Sequence, residues 1–116
     1  MATKTDHLRV PPHNLEAEAS VLGSLMLDKD AIIKVADLLK VGDFYKDDHN
    51  LIYETMITLY EEREPIDVLS LSNKLEEKGK LERVGGSSYI ASLVNTVPSA
   101  TNVVHYAKVV QKKTLL

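Results

Sequence analysis

Residues 14–28 read "NLEAEASVLGSLMLD", and their phase decides the fold. Leu15, Ala19, Leu22 and Met26 recur at helical spacing on one face, with Val21 and Leu25 flanking it. Asn14 suits an N-cap, and Glu16 and Glu18 suit the positive end of the helix dipole. Residues 1–13 are polar, end in Pro11-Pro12-His13 and read as a flexible arm.

The same period continues through the chain. Asp30 is placed to cap a second helix, with Ile32, Val35, Ala36 and Leu39 as its stripe and Gly42 as its stop. "DFYKDD" (43–48) is a short link that offers Phe44 and Tyr45 as core plugs. A third helix starts at Asp47 or Asp48, buries Ile52, Met56, Leu59 and Tyr60, and stops at Glu64-Pro65, where proline pushes its predecessor out of helical geometry. Asp67 caps a fourth helix with Val68, Leu71 and Leu75 inward and Gly79 as its stop. After a turn, in which "LERV" is a possible extended piece, a fifth helix covers 87–97, and Ser99 caps a sixth running to Leu116. The class is all-α: a small helical bundle of about six helices joined by short loops.

Composition narrows the function. The 116 residues are 44% apolar, with five tyrosines and one phenylalanine, so one domain with an aliphatic core is expected. The net charge of -3 argues against a chain built chiefly to grip nucleic acid. There is no cysteine, and so no disulfide or thiol chemistry. No apolar run reaches signal-peptide or membrane-span length, which leads to the expectation of a soluble cytoplasmic domain.

No motif for catalysis emerges. Gly85-Gly86 is followed by Ser87-Ser88-Tyr89 with no lysine, unlike a phosphate loop, and reads as a turn before a helix. His7, His13, His49 and His105 include no pair at the four-residue spacing of a helical metal site. Asp47, Asp48 and His49 read as a charged helix start. No enzyme activity, cofactor or metal is expected of these residues. A helix-turn-helix is the alternative for "PIDVLSLSNKLEEKGKLE" (65–82), but Lys74 and Lys78 there sit among Glu76 and Glu77, a poor recognition surface.

The last helix is apolar around much of its girth. Val103, Ala107 and Val110 share a face, Val104 and Leu115 lie beside it, and Tyr106, Val109 and Leu116 point elsewhere. Such a helix needs partners on two sides. Val104, Tyr106, Val109, Leu115 and Leu116 are therefore self-association candidates, and the chain reads as a piece of something longer, cut within a helix.

Four stretches carry a family resemblance: "RVPPHNLEAEASVLGSLMLD" (9–28), "DFY" with His49, Ile52, Tyr53 and Met56, "PIDVLSLSNKLEEKGKLERVGGSSYIASL" (65–93), and "VPSATNVVHYAKVVQKK" (97–113). Their series resembles the opening of the bacterial replicative DNA helicases of the DnaB family. The resemblance implies the N-terminal domain of a hexameric, ATP-driven helicase: residues 14–97 as a helical head, and 98–116 as the truncated first helix of a dimerising hairpin. It implies that ATP and Mg belong to a motor domain outside these residues. It also implies three kinds of partner: other subunits, the C-terminal helical domain of primase, and a helicase loader, with DNA held by the whole hexamer. Glu16, beside the arm, and Tyr89, beside the glycine turn, are the primase-contact candidates, chosen for accessible positions and for tyrosine's large amphipathic surface.

Overall fold

The structure, a computed structural model, describes residues 12–97 and 102–112. Six α-helices follow in order: α1 Pro12–Leu27, α2 Ala31–Ala36, α3 Asp47–Glu61, α4 Val68–Glu77, α5 Gly86–Asn95 and α6 Val103–Lys112. No strand occurs among the described residues. Helix α1 is the spine: it packs on α6 and α5, and also on α3 and α2. Helix α4 bridges α3 and α5, and α6 reaches back to α2. No described helix is long and apolar enough to cross a membrane.

The core is aliphatic, as the composition requires. Leu22, Ile52, Leu71 and Leu75 are fully buried, together with Val21, Leu25, Met56 and Ile90. Each such side chain contributes about 1.5–3 kcal/mol by leaving water. On α1 the deep positions are Ala17, Val21, Leu22 and Leu25, while Leu15, Ala19 and Met26 are half-buried. The buried face is therefore rotated from the stripe that the spacing predicts, because α1 has neighbours on several sides instead of one core below it.

The helix ends differ from the sequence reading in ways that have local causes. Helix α1 starts at Pro12, so Pro12 and His13 belong to the helix and Asn14 lies inside it. Proline suits the first helical turn, where its missing N–H has no partner to lose. Asp30 makes no side-chain cap; its own N–H donates to Asp28 Oδ1 at 2.9 Å. Helix α2 ends at Ala36, which is exposed, and Leu39 is buried from the turn that follows. Gly42 is not a helix stop but a turn residue at φ 105°, its N–H donating to Asn50 Oδ1.

Helix α3 stops at Glu61, before Glu64-Pro65 can act. Arg63 turns left-handed at φ 62°, and the N–H groups of Arg63 and Glu64 close back on the Tyr60 and Leu59 carbonyls at 3.0 and 2.8 Å. This double closure satisfies the orphan carbonyls of a helix end. Gly79 ends α4 by the same pattern, as its position predicts. Asp67 caps α4 as expected, its Oδ1 accepting the Ser70 N–H at 2.8 Å. "LERV" is a helical turn, not an extended piece: the Gly86 N–H reaches the Leu81 carbonyl at 2.9 Å.

Two aromatic expectations fail. Phe44 is buried, but Tyr45 is 61% exposed: only its backbone N–H is tied inward, to Glu18. Tyr60 is 46% exposed, since Leu59 takes the inward position of the last turn of α3 and Tyr60 lies one step round the helix. Tyr53 is the aromatic that the core uses: it is fully buried and its hydroxyl donates to the Leu39 carbonyl at 2.8 Å.

On α6, Val103, Ala107 and Val110 form the buried face, as the phase predicts. Val104, Tyr106 and Val109 are half-buried and already pack against the core, so α6 keeps less free apolar surface than its pattern suggests. Ser99, Leu115 and Leu116 lie outside the described residues.

Candidate functional site

Helices α1, α5 and α6 enclose an open groove of about 690 Å³. Helix α1 lines it with Leu15, Glu16, Ala17, Ala19 and Ser20; α5 with Tyr89, Ser92 and Leu93, followed by Thr96; α6 with His105, Tyr106 and Val109. The half-buried Leu15 and Ala19 and the exposed Glu16 thus form one groove wall, with the buried Ala17 and Ser20 at its base. The walls are held together at Gly23, where a Cβ would collide with the Leu93 carbonyl and come within 2.5 Å of Val97 Cγ2. A residue larger than glycine there would force α1 off α5.

Beneath the Tyr89 rim runs a chain of polar contacts. Tyr89 Oη lies 2.6 Å from His49 Nε2, and His49 Nδ1 lies 2.7 Å from Glu18 Oε1. Glu18 also accepts the Tyr45 N–H at 2.6 Å and the Lys46 N–H at 3.4 Å. Glu18 and His49 are fully buried, so these bonds replace the water that a carboxylate and an imidazole would otherwise keep. Phe44 meets the His49 ring edge-on at 6.2 Å. Asn50 fixes the connector by accepting from the Gly42 and Phe44 N–H groups and donating to the Phe44 carbonyl. Burial raises the Tyr89 hydroxyl pKa above its usual range, helped by the negative charges of Asp48 and Glu18. Lys46 Nζ stands 5.0 Å over the Tyr89 ring.

The groove gathers residues that the sequence assigned to two purposes. Glu16, exposed, and Tyr89, half-buried, both line it, and so do Tyr106 and Val109 from the self-association set. Val104 is not among its lining residues. Two residues of this polar chain were misread from sequence. Glu18 is not a dipole partner in water but the buried anchor of the chain, and His49 is not part of a charged helix start but its centre. A signal was present: Glu18 interrupts Leu15, Leu22 and Leu25, and His49 precedes Ile52, Tyr53 and Met56, so each sits on its helix's apolar face. Among the described residues no cluster of His, Asp and Glu is arranged to hold a metal ion.

The domain is thus an all-helical head with a largely apolar groove that Glu16 and Tyr89 both line. Residues 10–112 match the family model described as the DnaB-like helicase N terminal domain, and the chain belongs to that family. It is 43% identical over 111 residues to the replicative DNA helicase DnaB of Mycobacterium leprae, covering 96% of this chain and 18% of that protein. It is 40% identical over 108 residues to the replicative DNA helicase DnaC of Bacillus subtilis, covering 93% and 24%. The crystal structure of the N-terminal domain of DnaB helicase from Mycobacterium tuberculosis superposes with a TM-score of 0.85 at 42% identity, over 87% of this chain and 73% of that one. The chain therefore spans about a fifth to a quarter of the length of these curated relatives.

Proposed function

We propose that this domain serves as the collar of a hexameric, ATP-driven replicative helicase in the cytoplasm, where it joins subunits and docks the C-terminal helical domain of primase. ATP and Mg would act in a motor domain elsewhere in such a protein, and DNA would be held by the hexamer. A helicase loader is a further partner of the same class. The observation that carries the docking reading is the groove itself. Its walls are apolar enough to seat a helix from a partner, and Glu16 and Tyr89 stand together on it. The carboxylate of Glu16 favours a partner helix whose apolar stripe is flanked by Lys or Arg. Residues 98–116 belong, in this reading, to the hairpin that pairs subunits.

The helix-turn-helix alternative loses support from the geometry. Lys74 Nζ is engaged by Glu62 at 2.9 Å and Glu77 at 3.8 Å, and Lys78 donates to Thr55 Oγ1 at 3.2 Å. Helix α4, the recognition helix of that reading, thus has its one lysine engaged by carboxylates.

Calorimetric titration with the primase C-terminal domain tests the reading. Binding that Glu16→Ala and Tyr89→Ala each weaken is expected. Binding unaffected by both substitutions would move the docking surface elsewhere. Light scattering across concentration tests self-association: Val104→Glu with Val109→Glu should dissociate any dimer and leave the head folded, whereas unfolding would mean that their packing against the core, not a partner, is what the two valines serve.

A further inference from the structure

Tyr89 is held from beneath, not from the groove. Its hydroxyl is bonded to His49, His49 is bonded to Glu18, and Glu18 is tied to the Tyr45 N–H, giving an unbroken path from the interior to the rim. Two more contacts limit the ring. Gly85, at φ 111°, lies so close that a Cβ there would stand 2.7 Å from Tyr89 Cβ, and Lys46 covers the ring at 5.0 Å. Apolar residues of similar volume would fill this space without the cost of burying a carboxylate and an imidazole. Apolar residues cannot hydrogen-bond a phenol hydroxyl, whereas His49, itself bonded to Glu18, does so here.

We propose that Glu18 and His49 are positioning residues for docking: acting through the Tyr89 hydroxyl, they hold the ring in one rotamer before a partner arrives. The inference rests on the docking reading of the groove. A side chain already ordered loses less freedom on binding, and the saving appears directly as affinity. With the hydroxyl engaged by His49, the partner meets chiefly the ring of Tyr89. Tyr89→Phe should therefore weaken binding by releasing the ring, although it keeps the aromatic surface.

The test is a double-mutant cycle on binding of the primase C-terminal domain, with Tyr89→Phe, His49→Phe and the pair. Each single change should weaken binding roughly three- to ten-fold, and the pair should be no weaker than either alone, since both break the same link. If His49→Phe does not fold, Glu18→Gln takes its place in the cycle. Side-chain couplings at position 89 give a second readout without any partner: one rotamer in the wild type, and averaging in Tyr89→Phe. Losses that add across the cycle would mean that His49 supports the fold generally, and would overturn the positioning role alone. An unchanged rotamer distribution in Tyr89→Phe would overturn it too. Failure of the wild type to bind would overturn the docking reading, and this role with it.

Discussion

The α3–α4 side of the domain and the α1–α5–α6 side are built from different materials. Between α3 and α4 the interior is mainly Ile52, Met56, Leu59, Leu71 and Leu75, held by contacts that any well-fitted aliphatic set supplies, with Thr55 and Ser72 also buried on these helices. On the other side, Gly23 sets the helix approach, a Glu–His–Tyr chain whose histidine comes from α3 reaches the rim, and a groove is left open. The first side is made for stability. The second carries the buried polar chain and an open groove, the features on which the proposed docking role rests.

That contrast breaks most sharply at the aliphatic side. Ile52→Ala and Leu71→Ala should each cost about 2–5 kcal/mol in denaturant melts. Losses under about half a kcal/mol at both would mean that the helix phases are wrong. Gly23→Ala should cost about 1–3 kcal/mol by overpacking, and should also disturb amide shifts along α5 more than along α4. Equal disturbance of both helices would deny Gly23 its place as the close-approach point of α1 and α5.

Alkali sharpens the comparison through two tyrosines. Burial, with a smaller contribution from Asp43, raises the Tyr53 pKa to about 12, and burial raises that of Tyr89 as well. In each case the unfolded chain ionises first, near pH 10. Stability from these groups is therefore complete below about pH 10 and is lost as pH rises toward 12. Melting temperature followed from pH 8 to 12 should be flat and then fall, and a curve that rises above pH 10 would contradict both burials.

Smaller effects come next. Asp67→Ala removes the α4 cap and should cost about 1 kcal/mol by thermal melts. Ser24→Ala should have the opposite sign. Ser24 Oγ is buried with no hydrogen-bond partner, so its loss should be neutral or stabilising by up to about 1 kcal/mol. A loss of stability in Ser24→Ala would show that the hydroxyl has a bond after all.

The sequence shows the first side far better than the second. Helical period places Ile52, Leu71 and Leu75 inside because burial depends on neighbours three and four residues away. It misplaces Tyr45 and Tyr60, which sit next to the right positions, Phe44 and Leu59. The chain from Glu18 to His49 to Tyr89 joins residues 31 and then 40 apart, and no local pattern encodes those partners. Tyr89 and Glu16 are readable as accessible positions beside a turn and a helix start, but their shared groove exists only once α1 and α5 have packed.

Docking at the groove is tested at residue level by an amide-shift titration of isotope-labelled protein with the primase C-terminal domain. Shifts that cluster at residues 14–18 and 86–93 are expected. Shifts confined to α3 and α4, even with binding established, would contradict the claim that the groove is the docking surface.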